Sequence, residues 1–410
     1  MLARTIHRLS FAAASVVAFA AASPVLAANV EGQLDPQFNG NGRAWVAFGR
    51  PSGNLILHAN STAKAVAVQS DGRIVVAGDV DLGGGRWGIG LTRLNVNGSV
   101  DPTFGTLGNR QFNFSNASLH ANAMLVQPDG KIVVVGSYEQ DGTSNRQFLA
   151  VRFNADGGNT DGGFGLFGYY LIDFSSGSDT ATSVARASDG SLYLAGYITS
   201  GLGDLDFGLV KLKANGIADT SFGNQGKTTV FFDQGGDKDD AANAVAVQSD
   251  GKVLLAGGVR RAAGENEFGL ARVNGSSGNL DTGFGNLPGY PGRSVLSLHT
   301  AGTACYDNGQ ALALFDYPWR MIYVGGTHCQ FATTATAAVA AFADDGTLAT
   351  VFNGSGAEYV DLYSGYNTQE GSAMVLQGHG PYLPSVIVAG SGRSTQYNNN
   401  RDFLMARMDY

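Results

Sequence analysis

Acidic side chains recur at one point of a repeated pattern. Asp179, Asp240 and Asp307 occupy the same position, which Ser61, Leu119 and Gln369 fill elsewhere. The next position holds Thr62, His120, Thr180, Ala241, Asn308 and Glu370, with Asp237 and Asp239 close by. Carboxylates converging from separate segments offer the hard oxygen donors that Ca2+ or another divalent cation collects. Asp179, Asp240, Asp307, Glu370 and His120 are therefore the candidate ligand or metal residues. Asp also favours such loops for its turn chemistry alone. His58 and His120 share one local context (Leu57-His58-Ala59-Asn60 and Leu119-His120-Ala121-Asn122), with His299 in the matching loop and His328 on the same face. Imidazoles could ligate a metal or act as a general base, but no His-x-Glu or close His pair accompanies them. No Gly-x-Ser-x-Gly elbow, His-Glu-x-x-His or phosphate-cradling loop is present. Trp45, Trp87 and Trp319 could stack on sugars or simply pack.

These residues are positioned by an internal repeat. Its marker is Asp35-Pro36-Gln37-Phe38-Asn39, then Asp101-Pro102-Thr103-Phe104-Gly105, Asp161-Gly162-Gly163-Phe164-Gly165, Asp219-Thr220-Ser221-Phe222-Gly223 and Asp281-Thr282-Gly283-Phe284-Gly285, with a degenerate Ala349-Thr350-Val351-Phe352-Asn353. The period is roughly 60 residues. Gly or Asn after each Phe predicts a left-handed turn. Each unit carries four short strand patterns. Asp71-Gly72, Asp129-Gly130, Asp189-Gly190 and Asp250-Gly251 read as type I′ hairpin turns. Runs such as Ala65-Val66-Ala67-Val68 and Ala244-Val245-Ala246-Val247 are apolar on both faces, so both faces must be covered. Four short strands per unit and sheets covered on both sides predict an all-β fold: a six-bladed β-propeller of four-stranded antiparallel blades.

Repeat phase and blade phase differ. The strand after each Phe-Gly phrase belongs to the preceding blade. A strand at about 43–48 would then complete the last blade by pairing with one at about 403–408, which removes two open edges. Charge co-occurrence points the same way. Arg93, Arg152, Lys211 and Arg272 are followed by Asp101, Asp161, Asp219 and Asp281, whereas Ala341 and Ala349 lack both charges together. These read as structural ion pairs, with Arg407 left to pair with Asp35. Cys305 and Cys329 fall nearly opposite across the fifth inner hairpin and are expected to form a disulfide.

Residues 1–27 read as a signal peptide: Arg4 and Arg8, an apolar run from Phe11 to Ala22, then Val25-Leu26-Ala27 before cleavage near Ala27. That run is short for a bilayer span, and no Cys marks a lipid anchor. Residues 28–410 are then expected to form one domain of six repeats starting near 35, 101, 161, 219, 281 and 349. Export suits the disulfide. The chain has 59 Gly and a net charge of −8. Glycine fits many tight turns, and the acidic balance argues against nucleic acid. No membrane span is expected, and a monomer is.

The Asp-x-x-Phe-Gly phrase, the hairpin Gln127-Pro128-Asp129-Gly130 and the segment Phe148 to Asn154 together resemble the delta-60 repeat family over residues 34–410. Asp316-Tyr317-Pro318-Trp319 and Gly378-His379-Gly380-Pro381 depart from its hairpin. The resemblance implies a β-propeller in a bacterial exported protein, secreted or periplasmic, and implies no established activity. Two functions stay open. One is a non-catalytic scaffold, needing no cofactor, that binds a protein, glycan or envelope component. The other is a metal-dependent propeller hydrolase or lactonase with its site at an acidic channel mouth.

Overall fold

The computed structural model describes residues 35–408 except 53–54, 59, 175–176, 234–237, 262–264, 299–306, 317–319, 332–333, 361, 363–367, 378–383 and 394–400. Every regular element among the described residues is a β-strand. No helix among the described residues is long and apolar enough to cross a membrane. A two-stranded hairpin, β1 (Gly49–Ser52) and β2 (Leu55–His58), comes first. Five four-stranded antiparallel sheets follow in chain order. They are β3 (Ser61–Val68), β4 (Ile74–Gly83), β5 (Arg86–Leu94), β6 (Asn109–Phe112); β7 (Ala117–Val126), β8 (Ile132–Gln140), β9 (Arg146–Phe153), β10 (Tyr169–Ile172); β11 (Thr180–Arg186), β12 (Leu192–Thr199), β13 (Leu205–Leu212), β14 (Lys227–Val230); β15 (Ala241–Val247), β16 (Lys252–Arg260), β17 (Asn266–Asn274), β18 (Arg293–Leu296); and β19 (Asn308–Phe315), β20 (Met321–Phe331), β21 (Thr334–Ala343), β22 (Ala357–Val360). A sixth sheet has three strands, β23 (Thr368–Gln377), β24 (Ser385–Arg393) and β25 (Arg401–Met408).

The chain divides into two compact units, one ending at Ala181 and including Ala214–Ile217, the other comprising Thr182–Lys213 and Ala218–Tyr410. In the first, Val75, Ile89 and Leu91 of the first sheet share a core with Leu119, Val134 and Leu149 of the second. In the other unit, Phe207 and Phe232 pack on Leu255 and Val273. Leu254 and Phe284 likewise pack on Ile322 and Phe342, and Tyr323 and Phe352 on Met374 and Val388. Each large apolar side chain so buried stabilises by about 1.5–3 kcal/mol. Face-to-face burial therefore holds neighbouring sheets together, as the two-faced apolar strands require.

Two local devices recur. In five of the sheets the first strand carries a β-bulge, placed by register shifts at Ala63/Ala65, Ala121/Ala123, Ala242/Ala244, Gly309/Ala311 and Gly371/Ala373. The bulge pushes a carbonyl toward the second strand. A Cβ on Gly136 would collide with the His120 carbonyl oxygen, and one on Gly257 with that of Ala241. The Asp-Gly turns differ from the type I′ expectation. Only the glycine has positive φ, at 83° in Gly72 and 82° in Gly130. The loop closes through Gln69 N to Arg73 O (2.8 Å) and Gly72 N to Gln69 O (2.9 Å). Asp71 keeps ordinary φ because its carboxylate accepts the Arg73 amide at 3.0 Å.

The N-terminal segment departs from expectation. Residues 43–48 form no strand, and pairing begins at Gly49. Among the described pairings β25 bonds to β24 alone, so 43–48 has no ladder partner to make it a strand. The segment instead lies along the first sheet. It encloses a cavity of about 410 Å³ lined by Trp45, Val46 and Phe48 with Val76, Val80 and Leu94. His58 and His120, expected in loops, lie in β2 and β7 with Gly49 and Ser137 as Cα partners. The strands run past the polar positions because backbone pairing, not side-chain polarity, sets their ends.

Candidate functional site

The third-to-outer-strand connections carry the charges. Arg93 Nε is 2.8 Å from Asp101 Oδ2, Arg152 Nε 2.9 Å from Asp161 Oδ2, Lys211 Nζ 3.2 Å from Asp219 Oδ2 and Arg272 Nε 2.8 Å from Asp281 Oδ2. Each cation also donates to a main-chain carbonyl of the following repeat: Ala155 (2.9 Å), Ala214 (2.7 Å), Gly275 (3.0 Å) and Asp344. The three guanidinium groups lie over Phe104, Phe164 and Phe284, the rings of the repeated phrase, at 4.5–4.8 Å. Those rings rest against Gly157, Gly216 and Gly346, where a Cβ would strike them. Burial pushes the Asp101 carboxyl up, but hydrogen bonds from Thr103 and Arg93 overcome it and hold it down at about 2. Asp161 is likewise held at about 2, where the same burial penalty is outweighed by Lys131, the Gly163 amide and Arg152. This constellation stitches repeats together and is largely buried.

The expected acidic mouth is built differently. Asp179, Asp240 and Asp307 are fully buried. Asp240 accepts the Phe232 amide at 2.8 Å and the Arg260 amide at 3.1 Å. Asp307 accepts the amides of Leu298 (3.0 Å) and Cys329 (3.2 Å), and Asp179 that of Phe174 (2.8 Å). Gln369 does the same for Leu362 at 2.6 Å. At this position the side chain ties the incoming connection to its inner strand. Glu370 is half-buried in β23, opposite Ser391. Among the described residues no three His, Cys, Asp or Glu side chains are arranged to hold a metal ion.

Two His–Asp pairs stand apart; Asp307 is among the sequence candidates, whereas Asp79 is not. His120 Nδ1 is 3.2 Å from Asp79 Oδ2, while Asp79 Oδ1 accepts the Ala121 amide at 2.8 Å. The Trp87 ring lies 6.3 Å from the imidazole, and its amide donates to Ser118 Oγ at 3.2 Å. In the larger unit His328 Nδ1 is 2.8 Å from Asp307 Oδ1, with the Tyr359 ring 4.6 Å away. An anchored Nδ1 fixes the ring and its tautomer and leaves Nε2 for other work. Asp79 follows Gly78 where other repeats hold Ser137, Tyr197, Gly258, Thr327 and Ser391. A lone acid at a strand position is the signal that could have found it.

A further acid was also missed. Asp206 in β13 is buried, and desolvation, then Asp204 and Asp233, push it up to about 7. Burial drives Asp240 up as well, against the amides of Phe232 and Arg260. Cys329 is buried in β20, opposite Ala335. Cys305 and His299 lie outside the described residues.

Residues 69–104, 127–162, 187–222 and 248–284 match the family model described as domain of unknown function (DUF5122) beta-propeller. These matches support a β-propeller repeat family. The propeller repeats matched are the first four copies, and the two that depart from the hairpin pattern lie outside. Six antiparallel sheets, with no helix among the described residues, are consistent with that propeller. No curated protein matches the chain. Among solved structures, the chain resembles a protein of unknown function from Dyadobacter fermentans DSM 18053 (10% identity, 89% of this chain and 97% of that one, TM-score 0.44). It also resembles the Bacillus subtilis arabinanase Arb43A (11%, 70% and 92%, 0.32) and a PL25 ulvan lyase (11%, 83% and 82%, 0.37). Likeness at this level carries no argument about activity.

Proposed function

We propose that this propeller-repeat chain is an exported, non-catalytic scaffold that binds a protein, glycan or envelope component through its loop faces. One observation carries the reading. The recurrent carboxylates spend their oxygens on backbone amides and on the stitching cations, so the acids that could have done chemistry build the sheets instead. The unequal loops are left to recognise a partner. No cofactor is required.

Finer points belong to the same reading. The chain is a delta-60 protein whose signal peptide is cleaved near Ala27, releasing it to the periplasm or beyond. Cys305 and Cys329 are oxidised to a disulfide there. The six sheets form one propeller, closed by the 43–48 segment alongside 403–408, with Arg407 facing Asp35. Support comes from repeat equivalence. Phe38 meets Gly98 as Phe104 meets Gly157 and Phe164 meets Gly216, so 43–48 continues from the phrase where an outer strand should. Capture from envelope extract on the immobilised mature chain, alongside metal analysis, tests the proposal. Specific partners without bound metal are expected. A stoichiometric, tightly held divalent cation with hydrolase activity would replace the scaffold with a metal-dependent hydrolase.

A further inference from the structure

We propose that Trp87, His120 and Asp79 form a binding site for a neutral pyranose ring at the junction of the first and second sheets, an inference that rests on the scaffold reading above. The three converge from β5, β7 and β4. Trp87 is half-buried, with its ring 6.3 Å from that of His120. Its indole N–H has no hydrogen-bond partner among the described residues, nor has His120 Nε2. His120 is a quarter exposed on its side chain, and Asp79 about half that. The carboxylate lies against Nδ1, which leaves Nε2 to hydrogen-bond a ligand. The site thus shows a π-face, the indole donor and a second polar ring nitrogen.

A sugar matches this set. Its C–H face lies on an indole, and neighbouring hydroxyls each donate and accept. Aromatic surface with a few convergent polar groups is how small polar ligands are held in orientation. The nearest charges are the Asp79 carboxylate, Asp81 opposite Trp87 and Arg86 beside it, the last bonded to the Ser115 carbonyl; two carboxylates to one cation disfavour a uronate or sulfated sugar. Neutral rings are therefore preferred.

The test uses the full mature chain on an array of neutral and uronic-acid-containing oligosaccharides, then titration of the best neutral binder by calorimetry. Trp87→Ala should weaken binding by about five- to tenfold, the scale of one aromatic contact. Trp87→Phe should recover part of the loss and His120→Gln should fall between. Trp45→Ala should leave the affinity unchanged. Unaltered affinity in folded Trp87→Ala, or no neutral oligosaccharide bound, overturns the site. Envelope capture by the Trp87→Ala variant separates the two readings. Partners retained there with no sugar bound would sink the sugar site and leave the scaffold standing. No partner even for the unmutated chain would sink both.

Discussion

Arg93 Nε lies 2.8 Å from Asp101 Oδ2, while its NH1 reaches 2.9 Å to the carbonyl of Ala155 in the next repeat. Both side chains are buried. Removing one partner strands a charge without water, which is costlier than losing an exposed pair. Asp101→Asn should destabilise by about 3 kcal/mol, read as a shifted urea midpoint. A loss within the range of a surface pair, about 0–1 kcal/mol, would show that the pair is solvated in solution.

The same pairs set the acid limb. The Asp101 and Asp161 carboxyls sit at about 2, below the ordinary value of 3.8. A depressed carboxyl contributes stability above its unfolded value and loses it as pH falls toward the folded one. Stability from these pairs should hold down to about pH 4 and drain away between about pH 4 and 2. Urea midpoints across that window should fall less steeply in Arg93→Ala than in the parent.

Asp206 acts in the opposite sense. Its folded value of about 7 exceeds the ordinary 3.8. The folded state therefore holds the proton longer, and stability declines as pH rises through that interval. Asp206→Asn should raise the melting temperature more at pH 8 than at pH 5, flattening the profile. An unchanged slope between those two points would rule out Asp206 as its source.

Tyr193 and Tyr323 hold equivalent positions. The Tyr193 hydroxyl donates to the Gly275 carbonyl at 2.6 Å. The Tyr323 hydroxyl, in the repeat where Ala341 and Ala349 replace the charged pair, is buried without a partner among the described residues. Burial alone pushes it up to about 12. Tyr323→Phe should be neutral or stabilise by up to about 1 kcal/mol, and Tyr193→Phe should cost about 1–2 kcal/mol. Paired thermal melts decide the matter.

Glycines separate by surroundings. Gly136→Ala drives a methyl into the His120 carbonyl and should destabilise severely, by about 3 kcal/mol or more. Gly162 has open space around it and no positive φ. Gly162→Ala should be neutral or stabilise by about 0.4–1 kcal/mol. Equal effects in a denaturant series would contradict the steric account.

The proposed closure of the last sheet by 43–48 can be tested by cross-linking. Gly78 faces Gly90 as Gly390 faces Leu404, and Ile89 faces Phe112. Carrying that register around puts Val46 opposite Phe403. Val46→Cys with Phe403→Cys should cross-link under oxidation and shift on a non-reducing gel. Absence of any cross-link would dismiss the closure.

Strands, the recurring phrase and its charges were legible because they are local and repeated. The carboxylate roles were not. Asp240 looks like a ligand until Phe232 and Arg260 are seen donating to it, and backbone amides leave no trace in composition. Asp79 meets His120 only through the packing of one sheet on another, across 41 residues. The Asp-Gly turns were misassigned because Asp71 satisfies Arg73 with its side chain and so needs no unusual backbone.

Each cation grips an oxygen that every amino acid carries. Where the grip is on the backbone alone, as at Ala155 and Ala214, a repeat makes no demand on the identity of the residue it holds in its successor. Such copies can be duplicated, exchanged or left to diverge without a compensating change next door, and the tips of Ala155 and Ala214 are free to drift. Architecture of this kind gives evolution, or a protein engineer, a chassis whose couplings survive rewriting of the parts they join.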